Sequence, residues 1–203
     1  MSSGAHPLNG KHFDENFAKA TPKKIGMWLF LATDGMSFSG LLLAYAVLRA
    51  TYNWPNPADH LGLTLSGIAT FILICSSVSM VLSIDACKQH DRKNMLRWLL
   101  FTIIGGACFL GIQVYEYSHL IEHGLTLTHF AHGTSLFGST FFIVTGFHGF
   151  HVLSGVIYLS FQYYFALRGD YDHGHVDSLE AAGLFWHFVD LVWILVFTFI
   201  YLL

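Results

Sequence analysis

Apolar residues come along this chain in long blocks separated by short polar stretches. The blocks occupy about residues 25–48, 61–84, 98–117, 137–167 and 181–203. Each reaches the roughly 20 residues that an α-helix needs to cross about 30 Å of hydrocarbon. Backbone groups in lipid must find their hydrogen bonds inside each helix, so the pattern predicts five transmembrane helices packed as one bundle. The expected architecture is an all-α membrane protein with a single five-helix domain at 25–203, preceded by a polar tail at 1–24.

Composition sharpens this picture. Of 203 residues, 54% are hydrophobic, only 11% are charged and 19 are Phe, far from the balance of a soluble domain. The tail carries Lys11, Lys19, Lys23 and Lys24 without the short apolar core and small-residue cleavage site of a secretory signal, so no cleavage is expected. Three cysteines, Cys75, Cys87 and Cys108, have no metal-like spacing and an odd count; they read as small buried apolar residues. The net charge of -3 points to no nucleic-acid partner.

The distribution of charge is more informative than its sum. Lys and Arg near span ends are retained on the cytoplasmic side. The tail holds four, Lys88, Arg92, Lys93 and Arg97 lie between spans two and three, and Arg168 lies between spans four and five; the opposite side has only Arg49. Nine against one predicts a cytoplasmic amino terminus and a carboxyl terminus outside. The first outer connection, 52–60, contains Pro55 and Pro57, which stop a helix, and Trp54, suited to the headgroup level. The second, 119–134, contains Glu122 with His119, His123, His129 and His132 and no Lys or Arg. Histidine spacings of 4, 6 and 3 match no compact zinc motif, and this connection reads as a solvated loop. Gly35 and Gly40, Gly105 and Gly106, and Gly146, Gly149, Ser154 and Gly155 read as seams of close helix approach.

Ionisable groups inside a span cost on the order of 2.5–3.5 kcal/mol for a central Asp, so each needs a partner or a function. Asp34 lies near the middle of span one, with nothing on its own helix to neutralise it. It is a candidate proton handler, or equally a carboxyl group tying two helices together. Glu116 near the outer end of span three can reach the interface and reads as a structural group, and Glu180 marks the inner edge of span five. In span five, His187 and Asp190 are three residues apart and share a face, where they are expected to hydrogen-bond. In span four, His148 and His151 lie at comparable depth. These four suggest either an inter-helix polar network or, less economically, axial ligation of one haem by His148 or His151 with His187. The carboxylate-histidine pattern of a di-iron bundle is absent from the sequence.

The segments "GSTFFIVTGFHGFHVLSGVIYL" and "FWHFVDLVWILVFTFIYL" closely resemble the signature segments of subunit III of the haem-copper terminal oxidases. "WLFLATDGMSFSG", "DRKNMLRWLL" and "IQVYEY" resemble further segments of that family in the expected order, over nearly the whole chain. The resemblance implies an accessory, non-catalytic subunit of a proton-translocating oxidase, most simply a cytochrome c oxidase, in a bacterial plasma membrane. It implies no catalytic residue, no metal and no cofactor in this chain; haem and copper would sit in partner subunits. Implied partners are the catalytic subunit I and the electron-receiving subunit II, with a small subunit IV left open. The implied role is to stabilise subunit I and support proton uptake. Asp34 corresponds to the family's carbodiimide-reactive membrane carboxylate, with aspartate in place of the commoner glutamate. His148, His151, His187 and Asp190 correspond to polar-network positions, and Glu116 and Glu180 to acidic ones. Longer members have seven helices and a lipid-filled cleft; this chain resembles the short five-helix form, so phospholipid is left open as a ligand. A quinol oxidase subunit is the nearest alternative, and a stand-alone haem-b carrier or a transporter using Asp34 are remote ones.

Overall fold

The computed structural model describes residues 22–52, 54, 62–125, 135–169, 171 and 176–203. The first part of the polar tail, most of the first outer connection, and His129 and His132 lie outside these residues. Five long apolar helices make up the described chain: α1 Pro22–Thr51, α2 Leu63–Lys88, α3 Arg92–Glu122, α4 Ser135–Arg168 and α5 Val176–Phe197, the last continued by a π-helical turn, Thr198–Leu202.

Most of these helices outrun the apolar blocks, and at the start of α3 a polar cap accounts for the extension. Asp91 serves both sides of the turn between α2 and α3. Its N–H closes on the Ala86 carbonyl at 2.9 Å, while its side chain accepts from the Asn94 N–H at 3.2 Å. His90, between them, takes a positive φ of 58°. Helix α3 therefore starts at Arg92, six residues before its expected span, and the basic residues 92–97 lie on the helix.

Helix α5 is the hub, packing on α1, α2 and α4, while α2 and α3 form the most extensive pair. Its apolar stretch is 50% buried against 22% for α1. Glycines decide how closely α2, α3, α4 and α5 approach. A Cβ on Gly106 would overlap the Trp186 indole, one on Gly155 would lie 2.9 Å from the same indole, and one on Gly105 would lie 2.8 Å from Ser76 Cβ. Gly183, unflagged in the sequence, meets Ile84 in the same way. Gly40 has nothing within 4 Å of its Cβ position, so it is not part of a seam within this chain. Cys75 and Cys108 are exposed and only Cys87 is buried, which corrects the expectation for two of the three cysteines. The outer surface presents Phe71, Phe101, Phe150, Phe161 and Leu191, side chains that suit hydrocarbon.

Contacts at the helix ends fix relative directions. Lys24 of α1, Lys88 of α2 and Glu180 of α5 meet at one end of the bundle, whereas Arg49 of α1 donates to the Leu203 carbonyl at the other. Helices α1 and α5 run parallel, with α2 antiparallel to both.

Candidate functional site

The polar groups form separate clusters stacked along the bundle. Asp34, near the middle of α1, faces His151 of α4, with Oδ1 3.1 Å from Nε2. The other ring nitrogen of His151, Nδ1, lies 2.7 Å from the Phe147 carbonyl oxygen. A carbonyl only accepts, so Nδ1 carries a proton and donates. A neutral ring then offers a lone pair at Nε2, and its contact with Asp34 needs one further proton. Whether that proton rests on the carboxyl or on the imidazole, the pair has zero net charge and shares one hydrogen. Phe38 and Phe147 pack edge-on against the ring, with centroids at 5.1 and 4.6 Å. The cation-free isolation inferred for Asp34 from its own helix is thus resolved across the bundle, 117 residues away in sequence.

His148, one helical turn from His151, is fully buried and has no hydrogen-bond partner at either nitrogen. It stacks on Trp193 at 4.8 Å, and Phe109 and Phe38 approach edge-on at 5.7 and 6.4 Å. Among the described residues the rings packed closest against this imidazole are those of Trp193, Phe109 and Phe38.

His187 does not bond Asp190. Its Nδ1 is 2.6 Å from Ser77 Oγ on α2, and both Asp190 oxygens are buried without a hydrogen-bond partner. Ser77 faces Asp190 as well, but its short contact is with His187. Sharing a helical face brought the two side chains to one side of α5 without aiming them at each other. The expected four-membered network of His148, His151, His187 and Asp190 is therefore corrected: the four make no hydrogen bonds to one another. Their observed links run to Asp34 and Ser77 instead.

Around Trp186 lies a neutral polar seam. Trp186 Nε1 donates to Ser76 Oγ at 3.1 Å, Ser79 and Thr102 hydroxyls are 2.8 Å apart, Ser83 Oγ donates to the Met95 carbonyl at 3.1 Å, and Trp193 Nε1 donates to Thr70 Oγ1 at 2.9 Å. Sequence reasoning passed over these hydroxyls. The signal was present as Ser76, Ser79 and Ser83, spaced 3 and 4 along α2.

Glu116 is buried and does not reach the interface, and it is held as a structural group. Ser66 Oγ donates to Oε1 at 2.8 Å and Tyr201 to Oε2 at 3.2 Å. Nearby, Gln113 donates to the Thr145 carbonyl at 2.9 Å, and the Tyr117 and Thr145 hydroxyls are 2.6 Å apart. At the opposite end of the bundle Glu180 binds Lys24 at 2.5 Å and Lys88 at 2.7 Å, and Lys24 also binds Asp177 at 2.8 Å. Among the described residues no group of three His, Cys, Asp or Glu is gathered as a metal centre.

The family profile described as cytochrome c oxidase subunit III matches residues 6–203. A cytochrome c oxidase subunit 3 of Corynebacterium diphtheriae is 36% identical over 181 residues, covering 87% of this chain and 86% of the relative. One of Synechocystis is 39% identical over 184 residues, covering 89% and 76%. A cytochrome bo(3) ubiquinol oxidase subunit 3 of Pseudomonas putida is 34% identical over 180 residues, covering 88% and 84%.

Proposed function

We infer, because this chain belongs to the cytochrome c oxidase subunit III family, that it is an accessory subunit of a respiratory haem-copper oxidase, most simply a cytochrome c oxidase. The observation that carries this reading is the family match over residues 6–203, which takes in all five helices. In the oxidase the catalytic subunit reduces dioxygen to water and holds the haem and copper, and a second subunit receives electrons. This chain supplies packing surface and no redox centre. The nine-to-one distribution of Lys and Arg supports an amino terminus on the cytoplasmic side of a bacterial plasma membrane; in this reading the Lys24–Glu180–Lys88 cluster faces the cytoplasm and Arg49 the outside. A membrane-embedded domain at 25–203 and a cytoplasmic tail at 1–24 follow.

Asp34 with His151 is the unit in this reading that handles a proton. It holds one exchangeable hydrogen in the membrane interior, and it can pass that hydrogen between carboxyl and imidazole without changing its net charge. Asp34→Asn in the assembled enzyme is expected to slow turnover or proton uptake; unchanged turnover and pumping would remove the pair from the mechanism and leave it a helix tie.

The general reading is tested by purifying the complex in mild detergent through a tag on this chain. A large haem-copper subunit should co-elute, and the haem spectrum should leave the tagged chain when the subunits are separated. Haem retained by the isolated chain would overturn the reading. The Pseudomonas putida relative supports a second assignment, to a quinol oxidase. Reduction of the purified complex by cytochrome c or by quinol chooses between the two.

A further inference from the structure

Helix α3 does not stop where its apolar run ends. It continues through His119 to Glu122 and closes in a Schellman arrangement: Leu125 N–H reaches the Leu120 carbonyl at 3.0 Å, Gly124 N–H reaches the Ile121 carbonyl at 3.1 Å, and Gly124 takes a φ of 83°. Leu120 and Leu125 are both buried beneath this cap. The turn from 119 to 125 is therefore anchored, and the histidine spacing of four, uninformative in a loop, becomes one helical turn. His119 and His123 stand side by side on an exposed face, with ring centroids 4.2 Å apart and planes 27° from parallel.

The hydrogen bonding of His123 bears on what such a pair can hold. Its Nδ1 lies 2.8 Å from the His119 carbonyl oxygen. The carbonyl accepts, so Nδ1 bears the proton and Nε2 of the neutral ring presents its lone pair. This is the arrangement in which a histidine ligates a metal, with the second nitrogen oriented by a backbone carbonyl. Two histidines at i and i+4 present both imidazoles on one helical face; the stacked rings do not aim their nitrogens at one point as they stand, and a turn of the exposed His119 side chain brings both onto a single ion. Two charge effects act the same way. The carboxyl end of α3 carries the negative pole of the helix dipole, and the Glu122 carboxylate lies on the turn between the two rings. No Lys or Arg occurs between 119 and 134 to oppose a cation.

We propose that His119 and His123, at the carboxyl end of α3, form a two-imidazole site for a divalent transition-metal cation of the Zn2+ or Cu2+ class. Imidazole selects such ions over Mg2+ and Ca2+, which take oxygen ligands. No third protein ligand is gathered there among the described residues, so water completes the coordination and the site exchanges with the surrounding solution. An ion bridging the rings clamps the last turn of α3, directly beyond buried Glu116 and its partners Ser66 and Tyr201.

The test is amide hydrogen exchange on the intact, chelator-stripped complex, read on the peptide covering 119–125, with Zn2+ and with Mg2+ as probes. Zn2+ should slow exchange there in a saturable way that follows 1 + [Zn2+]/Kd, so that roughly 100-fold slowing marks 100 times Kd. Mg2+ should have no effect. His119→Ala and His123→Ala, each at an exposed position, should abolish the Zn2+ effect while the complex still co-elutes. Slowing that survives in both variants would overturn the site, as would the absence of any Zn2+ effect in the native complex. His123→Gln separates the alternatives further: it retains a side-chain donor for the His119 carbonyl but loses the imidazole, so persistence of Zn2+ protection in it would show that the ring serves only as a cap.

Discussion

The α2–α3–α4–α5 region and helix α1 solve the same problem, polar groups inside a membrane bundle, by different means. In the first, neutral hydroxyls and indoles meet across seams narrow enough that Gly105, Gly106, Gly155 and Gly183 have no room for a methyl group without displacement. Van der Waals contact does most of the holding, and each hydrogen bond adds little, because a lipid-embedded reference state also finds partners. Helix α1 has little of that. Only Phe38, Leu31 and Tyr45 are its well-buried large apolar side chains, and ionisable groups at three levels attach it: Lys24 to Asp177 and Glu180, Asp34 to His151, and Arg49 to the Leu203 carbonyl. The difference teaches where sensitivity to protons and salt should reside. It belongs to the attachment of α1, while the seam should respond to volume.

The largest expected effect breaks the seam. Gly106→Leu drives a side chain into Trp186 and Val156 and should cost about 3 kcal/mol or more, the upper range for overpacking. Loss of this chain from the purified complex, or a lowered midpoint in thermal dissociation, would register it; normal assembly would show that the seam can open. Next is the centre of α1. His151→Phe keeps an aromatic ring but leaves the Asp34 carboxyl without its partner, at a cost of about 1–3 kcal/mol for an unsatisfied buried group. Asp34→Asn retains a donor for Nε2 and should cost under about 1 kcal/mol. Equal losses in the two variants, measured by the same thermal dissociation, would mean that the proton between them contributes nothing.

A smaller effect should follow at the ionic end. Glu180→Gln removes the carboxylate shared by Lys24 and Lys88 and should cost about 0.5–1 kcal/mol at low ionic strength, declining as salt screens the charges. Hydrogen exchange at the start of α1, followed against salt concentration, would show native and variant proteins converging at high salt; a constant gap would count against an electrostatic attachment. The smallest expected change is Thr70→Val, which removes the acceptor of Trp193 at nearly constant volume. It should cost about 0.6 kcal/mol, the average found for hydrogen bonds between membrane helices. A much larger loss would make the neutral seam depend on hydrogen bonding rather than packing.

Helix existence was legible because the membrane imposes it: an apolar block of some 20 residues has few other stable fates. Helix ends were less so. The α3 start at Arg92 depends on Asp91 as a cap, and its end at Glu122 on Gly124, signals carried by one residue each and easily overridden by the polarity of their surroundings. Among the candidate residues, the depth of Asp34 and the inner position of Glu180 could be counted along the chain. The expected bond of His187 to Asp190 was a helical-wheel inference, and such inferences give a face but no rotamer; Ser77, 110 residues away, claims His187. Glu116 looked able to reach the interface because nothing in its own helix announces Ser66 and Tyr201.

The sequence by itself determined the number of helices, their order, the polar groups they carry and the resemblance that leads to the oxidase family, since these depend on local composition and on short ordered motifs. The tertiary structure decided the partners. Asp34 with His151, Glu116 with Ser66 and Tyr201, and Trp186 against Gly106 and Gly155 are set by how helices rotate and approach one another, and that depends on packing at many positions at once. In lipid an unpaired polar group finds no water to replace a missing partner, so the arrangement that satisfies more of these groups together is favoured, although no single helix encodes it.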